Sequence, residues 1–542
     1  MATEDWTSPA QGRKTPEAEN QDRESGVESF SEQWQVTKPV VRSEYGVVAA
    51  QNWRAAEVGA EILRAGGNAV DAALATGFAL GVVEPWMSGL GGCGYMLVYS
   101  AAEGQVHAVD FGTRSPAALD PAAFPLAPGG ADDDLFGWPL VEGQRNLHGP
   151  LSIGVPGTVA GFGLAHDRFG RLPWAELLAP AIALAHQGHP VDWWTTLKIA
   201  GEARELELYP EAAATYLPDG LPPVAAEYGM TTLPLGQLGA TLERLAAAGA
   251  RDFYDGEIAR SIAREVAALG GVLSLEDLQS YQARVRSPQA LPCADGELHV
   301  LSGLNAGPTF AAARALLPAL PAGLPGAAHF TAYASALGAA TETRLATLGH
   351  DGDQAGQGST THLSVVDRDG NMVSLTNTLL SLFGSNVLLP ESGVLMNNGI
   401  MWFDPRPGRP NSIAPNQPPL CNICPLIATR GGKPWFALGA SGGRRILPAV
   451  FQIAAFLGDQ GLDLEAAIHQ PRLNLDGSPR VEVDGRLGAE VLASIAAERP
   501  AVRCDAALLP NHYANPQAVL VGEGGFEGAV HVRSPVSAAV GA

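Results

Sequence analysis

Three stretches of this 542-residue chain combine residue types that can do chemistry. In the first, the small polar residues Gly358-Ser359-Thr360-Thr361-His362 run directly into Leu363-Ser364-Val365-Val366-Asp367. From spacing alone this is a loop entering a β-hairpin, with Asp367-Arg368-Asp369-Gly370-Asn371 as the turn and Met372 to Thr376 as the returning strand. The segment before it, His350 to Gln357, has no large apolar side chain. It gains nothing from burial and is expected to stay mobile. In the second stretch, Leu438 to Leu447, the pattern predicts a strand, a glycine turn and a helix. Consecutive glycines there, Gly442 and Gly443, would expose adjacent backbone N–H groups at the positive end of a helix dipole, which is how an oxyanion hole is built. A tight turn needing positive φ accounts for the same glycines. The third stretch is Cys421-Asn422-Ile423-Cys424, a lone C-x-x-C without the second ligand pair that zinc requires, so it reads as buried thiols.

These stretches must be positioned by a large α/β body. Tyr45 to Ala50 reads as a short strand, and Ala55 to Arg64 as a helix with Ala56, Gly59, Ile62 and Leu63 on one face. Glycine ends that helix at Gly66-Gly67. Ala69 to about Val83 is a nearly all-apolar helix that has to be buried. Gly89-Leu90-Gly91-Gly92-Cys93-Gly94 has dinucleotide-loop spacing, but a helix precedes it and the strand Tyr95 to Tyr99 follows, the reverse of that fingerprint. A nucleotide site is therefore rejected, and the glycines are expected to let backbones approach closely.

A formal net charge of -22 argues against nucleic acid or an anionic membrane as partner and leaves a small-molecule substrate. Lysine occurs only at Lys14, Lys38, Lys198 and Lys433, and none of the four falls on a candidate site. The five cysteines show no disulfide framework. Met1 to about Lys38 is polar and charged, without the apolar run of a signal peptide or membrane anchor, which predicts a disordered arm over residues 1–40 and a cytoplasmic protein.

Thr360-Thr361-His362-Leu363-Ser364-Val365-Val366-Asp367, followed by Gly370-Asn371 and Val373-Ser374-Leu375-Thr376-Asn377-Thr378, resembles the start of the small subunit in the γ-glutamyltransferase family of N-terminal-nucleophile hydrolases. Arg64-Ala65-Gly66-Gly67-Asn68-Ala69-Val70-Asp71-Ala72-Ala73 and Gly154 to Phe162 are similar to that family's large subunit. The resemblance implies a four-layer αββα sandwich and a precursor that cuts itself between Ser359 and Thr360. Residues 41–359 would form the large subunit and 360–542 the small one. Thr360 would then be the nucleophile, with its own α-amino group, of pKa about 7.7 to 8.0, as base. Thr378 matches the threonine that orients it, and Gly442 with Gly443 match the oxyanion pair. This chemistry calls for no metal and no cofactor.

Substrate recognition departs from the family. Where its members carry an arginine for the substrate α-carboxylate, this chain has Gly112, with Arg114 two residues later as the candidate replacement. Leu380 stands for an asparagine, Trp402 for the aspartate that holds the substrate amino group, and Cys421-Asn422 for a Ser-Ser pair. Hydrogen bonds to charged groups are worth about 1.5 to 3 kcal/mol each, so losing three weakens recognition of a γ-glutamyl head by roughly a thousandfold or more. The loop Pro410 to Asn416 is shorter than the family's lid, predicting an open site. An acylase-like amidohydrolase is therefore favoured, with a true γ-glutamyltransferase or glutathione hydrolase as the alternative and a silent metabolite-binding homologue as the reading from another class.

Overall fold

The computed structural model describes residues 36–131, 138–226, 228, 231–349, 361–475, 477, 480–504 and 512–542. The arm through residue 35 and the segment 350–360, with Ser359, Thr360 and the mobility expected before them, lie outside the described residues.

The hairpin expected after Thr360 is the centre of the first of two seven-stranded sheets. Fourteen strands form the two sheets: β1 (Val41–Ser43), β2 (Gly46–Ala50), β3 (Cys93–Ser100), β4 (Gln105–Phe111), β5 (Arg284–Arg286), β6 (Gln289–Cys293), β7 (Gly296–Val300), β8 (Thr361–Asp367), β9 (Met372–Thr378), β10 (Leu426–Arg430), β11 (Lys433–Ser441), β12 (Asn515–Gly522), β13 (Gly525–Val530) and β14 (Ala538–Gly541). The first sheet runs β14-β2-β8-β9-β3-β4-β5 and the second β1-β13-β12-β11-β10-β7-β6. Neighbouring strands are antiparallel throughout, as in the pairing of β8 with β9, β9 with β3 and β11 with β12.

Strand alternation explains why the sheets stack. Leu363 and Val365 of β8, with Val373 and Leu375 of β9, belong to the apolar core beneath the helices. The alternate residues face the second sheet, and several of them are polar. His362 Nδ1 pairs with Thr376 Oγ1 at 2.9 Å and its Nε2 with Ser364 Oγ at 3.0 Å, while Ser374 Oγ donates to the carbonyl of Leu438 in β11. Burial holds the His362 imidazole neutral, pushed down to about 3.

Helices α1 (Trp53–Arg64) and α2 (Ala69–Val83) cover the outer face of the first sheet. On the other side α3 (Gly307–Leu316), α4 (Ala327–Thr347) and α5 (Ile446–Gly458) cover the second, completing the αββα sandwich. Asn68 and Asp71 form a reciprocal cap at the start of α2. Asp367, at the hairpin turn, accepts from the Ala69 N–H at 2.8 Å and so ties the central hairpin to that helix end. The glycine-rich run meets the expectation of close approach. A Cβ on Gly92 would lie 2.4 Å from the Thr378 carbonyl oxygen, and one on Gly94 2.1 Å from that of Thr376.

The disordered arm expected through residue 40 is corrected at its end. Lys38 Nζ donates to the Ser534 and Ser537 carbonyls, both at 2.6 Å, so residues 36–40 are anchored just before β1. No helix among the described residues is long and apolar enough to cross a membrane.

Candidate functional site

Thr361 pairs with Asn377 at the end of the hairpin, and the next residue of β9 is Thr378. Thr378 is fully buried, and its Oγ1 accepts from the Leu380 N–H at 2.8 Å. Beyond it the backbone is strained. Leu380 has φ 86°, Phe383 φ 56° and Asn386 φ 60°, conformations that cost side-chain-bearing residues on the order of 1–3 kcal/mol each. Asparagine tolerates such backbone far better than leucine.

Opposite, β11 ends at Ser441 and the chain turns through Gly442 (φ 135°) and Gly443 (φ 63°) into a short turn and α5. The strand, glycine turn and helix read from the sequence are all present. With both residues at positive φ, the turn needs glycine, and their N–H groups precede a helix start, where the dipole favours negative charge.

Gly442 opens onto a cavity of about 530 Å³. Its wall carries buried polar atoms without hydrogen-bond partners among the described residues: Gln51 Oε1, both oxygens of Glu84, Trp86 Nε1, Asn386 Nδ2, Ser441 Oγ and Asn515 Oδ1. Buried polar atoms left unsatisfied are uncommon in native proteins, and each demands an explanation. Here they converge on one cavity, as they do in a site built for a polar ligand.

The positions that depart from the family come together elsewhere. Leu380, Trp402 and Cys421 lie in one apolar cluster with Tyr95 and Ile423. A Cβ on Gly112 would lie 2.5 Å from the Tyr95 hydroxyl, so that ring fills the room a longer side chain would need. Trp402 is 1% exposed, and Asn411 of the short loop donates to its carbonyl at 2.7 Å. That short loop is tied to the backbone at Trp402 and does not reach the cavity wall. Burial pushes the Cys421 and Cys424 thiols up to about 12, and both are free. Asn422 Oδ1 accepts from Arg344 Nη2 at 2.7 Å. None of Leu380, Trp402, Cys421 and Asn422 lines the cavity.

Arg114 does not line it either. Its Nη2 donates to the Asp277 carbonyl at 3.1 Å and to Ser280 Oγ at 2.5 Å, and its guanidinium sits 5.9 Å from the Tyr281 ring centre. Sequence reasoning missed Glu84, Lys198 and Arg344. The first two line the cavity, Lys198 against the expectation that no lysine falls on a site. Arg344 is buried among neutral acceptors, which lowers it to about 10. Glu84 carried one legible signal, a carboxylate ending an otherwise apolar helix pattern.

Two seven-stranded antiparallel sheets between helical layers, with a threonine-led strand at the centre, define an N-terminal-nucleophile hydrolase fold. A family model described as "Gamma-glutamyltranspeptidase" matches residues 55–349 and 327–541, and the chain belongs to that family of enzymes. It is similar to the glutathione hydrolase proenzyme of Escherichia coli (strain K12), 32% identical over 91% of each chain. It is also similar to the Acylase ACY 1 proenzyme of Pseudomonas sp. (strain V22), 33% identical over 81% of this chain and 84% of that one. A crystal structure of cephalosporin acylase from Bacillus halodurans shares the fold, with a TM-score of 0.83 and 22% identity over 95% of this chain and 99% of that one.

Proposed function

We propose that the chain is a self-processing threonine-nucleophile amidohydrolase or acyltransferase acting on a small-molecule amide without a free α-amino acid head. The observation that carries this reading is the pairing of Thr361 with Asn377 beside Thr378, combined with a positive-φ Gly442-Gly443 turn whose first glycine lines a polar cavity. Thr360 is one residue, about 3.8 Å between Cα atoms, from Thr361.

In processing, the Thr360 hydroxyl attacks the Ser359 carbonyl carbon. The peptide C–N bond breaks as an ester forms, and the proton passes from hydroxyl to amine. Water then opens the ester, leaving a Ser359 carboxylate and a free Thr360 amine, and separating fragments 41–359 and 360–542 together with any remaining arm. In turnover that amine takes the hydroxyl proton as Thr360 attacks the substrate carbonyl, and gives it to the leaving nitrogen. The Gly442 and Gly443 N–H groups hold the oxyanion, and the acyl-enzyme passes to water or to an acceptor amine.

The Gly112, Leu380, Trp402, Cys421 and Asn422 positions support a substrate outside the γ-glutamyl class, because tyrosine and apolar side chains fill the volume where family members grip the amino acid head. Arg114, committed to Asp277 and Ser280, supplies no carboxylate grip in this arrangement. Similarity to the Escherichia coli glutathione hydrolase proenzyme favours the second reading, true γ-glutamyl chemistry. Specificity constants for a γ-glutamyl anilide and the matching glutaryl anilide decide between them. The glutaryl compound is expected to be equal or better, whereas a γ-glutamyl preference of about tenfold, roughly 1.4 kcal/mol, returns the second reading. Mass spectrometry tests the nucleophile. Wild type is expected as two chains and Thr360→Ala as one, and a wild type that stays full length at neutral pH removes the assignment.

A further inference from the structure

Glu84 closes the C-terminus of α2, a position that is electrostatically wrong for a carboxylate. It follows an apolar helix of 15 residues, 1% exposed, where the negative end of the dipole opposes a second negative charge. Neither of its oxygens has a hydrogen-bond partner among the described residues, and burial pushes the group up to about 8. Lys198 is the cation that acts on it, but Lys198 Nζ forms no ion pair with Glu84 and lies instead 4.1 Å from the Trp194 ring centre. The Trp194 side chain acts on the carboxyl as a weak donor, a minor effect against burial, at a geometry short of a full hydrogen bond. A carboxyl that is buried at the wrong helix end without a full hydrogen bond costs stability, and a ligand on the cavity wall supplies the donors it lacks.

The rest of the wall suggests which ligand. Gln51 Oε1 joins the two Glu84 oxygens as a third acceptor without a donor, and a primary ammonium brings three donors. Trp86 and Trp194 add aromatic faces, and one of them already carries an ammonium, that of Lys198. Glu202 and Glu205 line the same cavity, while Arg445 stands beside Gly442. The cavity thus carries a cation beside the glycine turn and acceptors at Glu84, Gln51, Glu202 and Glu205. We propose that Glu84, with Gln51, binds a cationic nitrogen of the substrate, remote from the scissile carbonyl, and so selects amides that carry an amine. This rests on reading the cavity as the substrate site. The cation is carried by either the acyl part or the leaving amine, and the test separates the two.

The charged and titratable groups facing Glu84 are Lys198, Asp192, Glu202 and Glu205 from the 192–205 segment, His148 from the 144–148 turn, Arg445 from the glycine turn, and His189 packed on Trp86. His189 is held neutral, pushed down to about 4 by burial, and His148 is also lowered, so neither competes as a cation near neutral pH.

The test is a titration of full-length protein with benzylammonium and with its neutral isostere, benzyl alcohol, followed by tryptophan fluorescence at pH about 8.5, where Glu84 ionises. Wild type is expected to bind the cation about tenfold more tightly, and Glu84→Gln to bind both alike. Lys198→Met removes the charge that lowers Glu84 and is expected to move the onset of the cation preference to higher pH. It also decides the matter should Glu84→Gln fail to fold. Equal binding by wild type, a preference that survives Glu84→Gln, or one unmoved by Lys198→Met overturns the proposal. The same titration on Thr360→Ala is independent of turnover. Failure of the catalytic reading would appear separately, as a wild type that stays uncleaved in mass spectrometry while its cation binding is intact. Anilides carrying an ammonium on the acyl or on the aniline part, each against a neutral isostere, then show which part reaches Glu84, and no advantage for either removes the substrate role.

Discussion

At the scale of single residues, the glycine turn offers the sharpest separation of chemistry from stability. Gly443 has φ 63°, so an alanine there costs roughly 1–2 kcal/mol of backbone strain. In the proposed role, an oxyanion donor displaced with it costs about a hundredfold to a thousandfold in rate. Gly443→Ala is therefore expected to melt only modestly lower than wild type while losing most of its turnover number. A turnover number within a factor of two of wild type would leave the pair as an ordinary turn. Leu380 makes the complementary case. Leu380→Asn at φ 86° relieves backbone strain but puts an amide into an apolar cluster with Trp402 and Cys421. Because burying an unpaired amide costs about 1–3 kcal/mol, no net gain in melting temperature is expected.

At the scale of elements, the central hairpin and α2 carry opposite pH signatures. His362, between the sheets, is depressed to about 3 in the fold against 6.5 for the free side chain. Below 6.5 the unfolded chain takes up a proton that the folded one refuses, so stability is lost as pH falls from 6.5 toward 3. The urea midpoint of wild type is expected to drop across that window, and His362→Gln, neutral at every pH, to drop less. Glu84 runs the other way. Its folded value is raised to about 8 from 4.5, so the unfolded state ionises first and stability falls as pH rises from 4.5 to 8. Glu84→Gln removes that loss. Its melting temperature relative to wild type should rise with pH across the interval, and a flat difference would mean that the carboxyl is already paired in solution.

At the scale of the whole molecule, the two expected fragments interleave. In the first sheet, β8, β9 and β14 come from beyond residue 360, while β2, β3, β4 and β5 come from before it, and β8 pairs with β2 as well as β9. In the second sheet, β10 of the later segment pairs with β7 of the earlier one. Neither segment closes its sheets or buries its core alone. After cleavage the two chains are expected to co-elute in size-exclusion chromatography and to separate only under denaturant. Separation in plain buffer would contradict the shared sheets.

Periodicity and turn chemistry were enough for the local elements. The apolar run from Ala69 to Val83 is helical over that span, the hairpin turns at Asp367 to Asn371, and Gly442 and Gly443 sit between a strand and a helix, because each depends on neighbours within a few residues. The close approach at Gly92 and Gly94 was legible for the same reason: a missing side chain is itself a statement about space. The cavity was not legible. Glu84, Lys198, Gln51, Asn386 and Asn515 are far apart along the chain, and no local pattern marks them as neighbours. Leu380, Trp402 and Cys421 were recognisable as departures from a family pattern, but that they plug one volume with Tyr95, and that the room opens instead beside Gly442, follows only from how the two sheets and their loops pack. Sequence determined which segments become strands, helices and turns, because backbone preference and hydrophobic period act locally. Tertiary structure decided where the empty space lies, because space is what remains after distant side chains have packed.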